Sequence, residues 1–232
     1  EGAVREIVEE ELREYVDEIR TDRLGNLIAR KGGKSPSVMI AAHLDEIGLM
    51  VKQIEPEGFL RFSTIGGWFD QTLLNQRVVL QPEGEGGNIV YGVIGSKPPH
   101  RMKKEEREKT IKAEDMFIDI GAKSEEEVSK LGITIGTPVI IDRQFTPLIN
   151  DRVTCKAFDN RSGVAVMIEA LRRVNTEFEV YAVGTVQEEV GLKGARTSAF
   201  ELNPDVAIAI DTDIAGGHPG IEKKDTTVEL DK

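Results

Sequence analysis

Glu179-Val180-Tyr181-Ala182-Val183-Gly184-Thr185-Val186-Gln187-Glu188-Glu189-Val190-Gly191-Leu192-Lys193-Gly194-Ala195 is the stretch that decides the fold class. Its apolar first part predicts a strand over 178–186, and Gly191 and Gly194 mark a turn into a helix near Ala195–Phe200. A strand followed at once by a helix is the building unit of α/β proteins, which place their sites at the carboxyl ends of strands. Glu188 and Glu189 stand at such an end. Neighbouring side chains of a strand point to opposite faces, so both carboxylates reach one pocket only if the chain bends after the strand. One can then hold a metal while the other moves a proton. A solvated acidic loop is the other reading of the same residues.

The same α/β texture lies on both sides of a long interruption. Residues 3–19 carry Val4, Ile7, Val8, Leu12, Tyr15, Val16 and Ile19 at helical spacing. Leu24–Arg30 reads as a strand entered through a Gly-Asn turn, Lys31–Pro36 as a turn, and Val38–Ala42 as a short strand buried on both faces. After Phe158, residues Ser162–Val174 predict a helix with Val164, Val166, Met167, Ala170 and Leu171 inward and Asn160 or Ser162 as its cap. Val206–Ile210 is a further apolar strand. Between about 48 and 147 the chain breaks into short β-type runs separated by Gly and Pro, the pattern of a small β-barrel or sandwich. Within it, His100–Lys112 reads as an exposed loop and Glu125–Leu131 as a short helix. The expected organisation is an α/β domain made of 1–47 and 148–232, with a β-rich domain inserted over 48–147.

Of the 232 residues, 41 are Asp or Glu and 30 are Lys or Arg, a formal net charge of -11. That balance argues against nucleic acid or an anionic membrane as a partner. No apolar run reaches the length that spans a bilayer, and the acidic start at Glu1 predicts no signal peptide. Cys155 is the single cysteine, which fits a reducing, cytoplasmic setting.

Four positions at strand ends or turns carry the chemistry. His43 directly follows the strand at 38–42, and Asp45, two residues on, is placed to accept a hydrogen bond from the far ring nitrogen and fix the tautomer. Asp159 precedes a helix, the Glu188/Glu189 pair ends one strand, and Asp211 ends another. Each has an ordinary reading too: a satisfied histidine, a helix N-cap, an acidic loop, an Asx turn. Together they put one imidazole and several carboxylates at one sheet edge, where divalent cations would relieve the repulsion. Mixed histidine and carboxylate ligation suits zinc, cobalt or manganese in a hydrolytic site.

His43-x-Asp45, Ala157-Phe158-Asp159-Asn160-Arg161-Ser162-Gly163, Gln187-Glu188-Glu189-Val190-Gly191 and Ile210-Asp211-Thr212 occur in an order that resembles the M42 family of metallo-aminopeptidases. That family includes the tetrahedral TET peptidases and glutamyl and leucyl aminopeptidases. Ile65-Gly66-Gly67 and Lys97-Pro98-Pro99-His100 extend the resemblance through the insert. It implies a zinc-peptidase-like mixed sheet flanked by helices, with an inserted small β-barrel used for assembly into dimers and dodecamers. It implies two divalent ions, zinc or cobalt, and release of N-terminal residues from peptides through a metal-activated water. His43 and Asp211 would hold one ion, Asp159 would bridge both, and Glu189 would hold the second. Glu188 would be the general base and Asp45 the residue orienting His43. Family members continue past the point matching Lys232 with another histidine ligand, so 148–232 is expected to be an incomplete part of the catalytic domain. Neither His218 nor His100 is expected to replace that ligand. An endoglucanase-type glycoside hydrolase and a non-catalytic assembly subunit are the competing expectations, the first disfavoured by an aromatic content of 5%.

Overall fold

Alternation of small apolar side chains along three adjoining strands organises the first of two compact units, residues 1–45 with 157–232. The computed structural model describes residues 1–82, 88–222 and 224–229. Helix α1 (Gly2–Leu12) leads into strands β1 (Glu18–Thr21), β2 (Leu27–Lys31) and β3 (Lys34–His43). Six strands follow: β4 (Gly48–Ile54), β5 (Leu60–Ile65), β6 (Arg77–Leu80), β7 (Val90–Gly95), β8 (Phe117–Asp119) and β9 (Pro138–Ile141). Short helices α2 (Lys104–Arg107) and α3 (Glu125–Lys130) interrupt them, and a small hairpin, β10 (Thr146–Pro147) with β11 (Val153–Thr154), comes after. Helix α4 (Phe158–Arg173), strand β12 (Phe178–Thr185), helix α5 (Lys193–Leu202) and strand β13 (Val206–Ala209) complete the order.

The first unit is built on a five-stranded mixed sheet in the order β1-β2-β12-β3-β13. β1 with β2 and β2 with β12 are antiparallel, whereas β12 and β13 both run parallel to β3. Period-two alternation sends Leu27, Ala29, Ala42, Val180 and Ala182 to one face, where Val8 and Leu12 of α1 and Val164, Met167 and Leu171 of α4 cover them. Ile28, Met39, Ala41 and Val183 go to the other face, against Ala199 and Leu202 of α5. The Lys31 ammonium donates to the carbonyls of Leu171 and Val174, closing the C-terminal end of α4.

Four sequence expectations change here. The helix expected over 3–19 stops at Leu12, and the segment around Ile19 becomes edge strand β1, paired with β2. Val16 and Ile19 still pack on the apolar cluster of Val8 and Leu12, so their spacing imitated a longer helix. The turn expected over 31–36 is confined to Gly32 and Gly33, because β3 already begins at Lys34. Helix α4 starts at Phe158, with Asp159 and Asn160 in non-helical conformations. Asn160 Oδ1 accepts from Gly163 N at 3.0 Å and caps the regular helix, while the Ser162 hydroxyl donates to Phe158 O. Val166, expected inside, is 55% exposed, and Ile168 takes the inward place.

The second unit, residues 46–156, is a closed barrel in the order β4-β5-β8-β7-β6-β9. Leu49, Val51, Leu60, Phe62, Val78, Leu80, Ile94, Ile118 and Val139 alternate inward to fill it. Ser124 Oγ accepts from Glu127 N and caps α3. The stretch expected as an exposed loop, 100–112, includes the single turn α2 and is largely exposed. Among the described residues, no helix is long and apolar enough to cross a membrane.

Two of the five inward candidates on α4, Leu171 and Val166, separate cleanly. Leu171→Ala, at a fully buried position, is expected to cost about 2–5 kcal/mol, and Val166→Ala to stay within about 0.5 kcal/mol. Urea unfolding checks both; equal losses would contradict this packing.

Candidate metal centre

Parallel register brings the carboxyl ends of β12, β3 and β13 to one edge of the sheet. Thr185 of β12 pairs with His43 of β3, and Ala209 of β13 pairs with Ala41. Two residues further along that register, Asp211 falls level with His43. Asp159 arrives from the irregular first turn of α4. The glutamate pair arrives from the loop after β12. There Gln187 takes a left-handed φ of 57°, which breaks the strand alternation and supplies the bend that the pair requires. Glu188 O then accepts from Gly191 N and Leu192 N as the chain turns into α5.

The histidine ring is 3% exposed and lies at the centre. Its Nδ1 donates to the backbone carbonyl of Asp45 at 3.1 Å. A carbonyl can only accept, so Nδ1 carries a proton and Nε2 is the ring atom offered to the cluster. Nε2 lies 3.0 Å from Asp159 Oδ1, 3.8 Å from Asp211 Oδ1 and 3.9 Å from Glu188 Oε2. The ligand atoms of His43, Asp159 and Asp211 all lie within 4.8 Å of one another, as do those of His43, Glu188 and Glu189. All six residues singled out in the sequence therefore meet in one place.

Asp45 meets them in a different way from the one expected. Its carboxylate stands 3.6 Å from His43 Nδ1, too far for a hydrogen bond. Oδ1 accepts from Glu188 N and Oδ2 from Glu189 N, each at 3.0 Å. The main chain of Asp45 orients the histidine, and its side chain holds the glutamate loop.

Asn26 is a contributor that sequence reasoning missed. Fully buried, it accepts from Val186 N at 3.0 Å through Oδ1. Its amide donates to Asp22 Oδ2, Gly194 O and Thr197 Oγ1. It thus ties the root of the glutamate loop to the start of α5. A Cβ on Gly194 would lie 2.3 Å from Asn26 Oδ1 and 2.4 Å from Val186 O, so this position admits only glycine. The available signal was Asn26 beside Gly25 ahead of an apolar strand, which reads as an ordinary turn.

Electrostatics show what the arrangement lacks. Burial works to lower the His43 pKa, but the Asp45, Asp159 and Glu188 carboxylates outweigh it and push the pKa up to about 9. Burial raises Glu188 and Glu189 above the usual carboxylate range, and like charges add to it: Asp211, Asp45 and Asp159 act on Glu188, Asp159 and Glu188 on Glu189. For Asp45, burial is overcome by His43 and the two amides, and its pKa is lowered. A set of mixed nitrogen and oxygen donors, with several carboxylates around one imidazole, fits a divalent cation, which would take the place of the proton on Nε2. Asp159 and Asp211 are 61% and 51% exposed at their side chains, which leaves that side of the cluster open to solvent. His218 is exposed, its ring facing Pro219 O, and belongs to neither cluster among the described residues. His100 lies in the barrel unit.

Comparison with known proteins gives this geometry a family. The family model described as M42 glutamyl aminopeptidase matches residues 25–232. The putative aminopeptidase FrvX of Escherichia coli K12 is 47% identical over 223 residues, covering 96% of this chain and 62% of that protein. A TET aminopeptidase from the marine sediment archaeon Thaumarchaeota archaeon SCGC AB-539-E09 superposes with a TM-score of 0.93 at 43% identity, over 99% of this chain and 65% of its own. The Pyrococcus horikoshii TET1 peptidase, whose structure is described as assembling into a tetrahedron or a large octahedral shell, superposes with a TM-score of 0.82 at 36% identity. That match covers 94% of this chain and 65% of the other. The chain thus spans less than two thirds of the length of each of these relatives. On the family match and these identities, the chain belongs to the M42 glutamyl aminopeptidase family.

Proposed function

We propose that this chain carries the catalytic centre of a dinuclear-metal aminopeptidase, which releases N-terminal residues from peptides. The observation that carries the reading is the joint approach of His43, Asp159 and Asp211 within 4.8 Å, with Glu188 poised 3.9 Å from the same imidazole. His43 and Asp211 would hold one ion, Glu189 the second, and Asp159 would serve both; zinc or cobalt suits the donors. Bound there, the cations supply Lewis acidity toward water and the peptide carbonyl. Glu188 takes the proton from the attacking water and returns it to the leaving amine. Its raised pKa brings a carboxylate closer to the range in which a general base works at neutral pH. Asp45 keeps Glu188 and Glu189 in place through their own amides. Self-association into dimers and dodecamers through the barrel unit is part of the same reading, supported by the assembly described for the P. horikoshii relative. A cytoplasmic setting belongs to it as well.

A glycosidase of the two-carboxylate type needs no histidine at its centre and no metal. Treatment with a strong chelator is expected to abolish release of N-terminal residues from short peptides, and added zinc or cobalt to restore it. Activity that persists without metal would refute the reading. Glu188→Gln is expected to retain metal, measured by elemental analysis, while kcat falls by about 10²–10⁴-fold. Normal turnover by that variant would remove Glu188 from the role of base, and absence of turnover in the metal-loaded parent would favour an assembly subunit instead.

Asp45→Asn leaves a single acceptor for two amides and turns an N–H₂ toward one of them. Metal affinity is expected to drop by about 10–100-fold, as for other groups that support metal ligands from behind. Competition with a chromophoric chelator measures it; unchanged affinity would show that the Asp45 carboxylate is dispensable for holding the loop.

A further inference from the structure

Two of the three groups around the first candidate ion, Asp159 and Asp211, are exposed at their side chains, and they lie 52 positions apart in the chain. Neither is fixed by burial of its own side chain. Asp211 follows β13, which among the described residues pairs with β3 alone and lies at the sheet's edge. The residue before it, however, is bonded on both sides. Ile210 N donates to Ala41 O of β3 at 2.9 Å, two residues before His43. Ile210 O accepts from Asn160 Nδ2 at 2.6 Å, and Asn160 directly follows Asp159. The chain of bonds therefore runs from the strand that carries His43, through the peptide preceding Asp211, to the residue following Asp159.

Asn160 closes this loop of contacts. Its side chain is fully buried and uses both ends: Oδ1 caps the helix at Gly163 N, and Nδ2 holds Ile210 O. The fit is tight, because a Cβ on Gly163 would lie 2.1 Å from Asn160 Oδ1. The amide offers an acceptor to the helix and a donor to the strand from two separate atoms. Aspartate keeps the first and loses the second; a serine hydroxyl can accept and donate, but from one oxygen on a shorter side chain that lacks the reach to serve both.

We infer that Asn160 is a positioning residue that sets the separation of Asp159 and Asp211 across the metal site, without touching a metal itself. The inference rests on the proposed metal reading of His43, Asp159 and Asp211. Its test is Asn160→Ser, with Gly163→Ala as a second variant that displaces the amide while leaving Asn160 in place. Leu171→Ala, remote from the site and fully buried, controls for lost stability. Zinc affinity is measured by competition with a chromophoric chelator, and coordination by the visible absorption of the cobalt-loaded protein.

Asn160→Ser and Gly163→Ala are each expected to weaken zinc binding by about tenfold or more and to change the cobalt spectrum. Leu171→Ala is expected to leave both unchanged despite its larger loss of stability. In peptide hydrolysis the two site variants are expected to lose kcat more than they raise KM. Parent-like zinc affinity and cobalt spectra in both site variants would overturn the inference while leaving the metal reading intact. Equal loss of zinc in Leu171→Ala would overturn it as well, by tracing the effect to global stability. Failure of the parent protein to bind zinc would instead bring down the metal reading, and this inference with it.

Discussion

Five carboxylates, those of Asp45, Asp159, Glu188, Glu189 and Asp211, crowd one buried imidazole, and their mutual repulsion is the constraint that the first unit must hold in check. Against the effect of burial, the Asp45, Asp159 and Glu188 carboxylates favour the charged imidazole and push the His43 pKa up to about 9. The backbone does the rest. Asp45 draws two amides onto its carboxylate, and the register of three parallel strand ends brings the remaining groups together whatever their charges prefer. Groups so placed against electrostatic preference need a rigid support, which here is a sheet covered by helices on both faces.

The chain leaves this unit immediately after Asp45 and re-enters it at Ala157, two residues before Asp159. The barrel of residues 46–156 is therefore inserted between two members of the cluster that lie next to one another in space. A large insertion is tolerated at such a point because the cost of closing a loop grows only slowly with its length. The flanking residues keep their places through contacts within the first unit: His43 through pairing with β12, Asp159 through the first turn of α4 and its bond to the His43 ring.

Much of this was legible because it depends on local periodicity. Parallel strands read here as continuous apolar runs, buried toward the carboxyl ends of β3 and β12 and exposed in β13, so the ends of all three could be found, and with them His43, the glutamate pair and Asp211. Gly191 and Gly194 announced the turn into α5, and regular short runs announced the barrel. What failed depends on partners distant in sequence. Asn26 reads as a turn residue because two of its buried partners, Val186 and Gly194, lie 160 and 168 positions away. Asp45 was assigned to the nearby His43, whereas its carboxylate serves amides 143 and 144 residues on. Helical spacing through Ile19 was misleading because a helix and an adjoining edge strand can feed one apolar cluster.

The two adjacent glutamates show how neighbours in sequence acquire different chemistry from one loop. The left-handed turn at Gln187 removes them from strand geometry, and Asp45 grips both main chains. Their charged surroundings differ: both feel His43, Asp45 and Asp159, but Asp211 heads the like charges acting on Glu188, whereas Asp159 and then Glu188 head those acting on Glu189. On the proposed reading, a cation beside Asp159 relieves Glu189 most directly, by binding it. Glu188 would, on that reading, stay off the ion, with its pKa raised by burial and by Asp211, Asp45 and Asp159. The division of labour then follows from which carboxylate the shared Asp159 brings into the ion's reach, and the backbone on either side of Asp159 becomes as consequential as the ligands themselves.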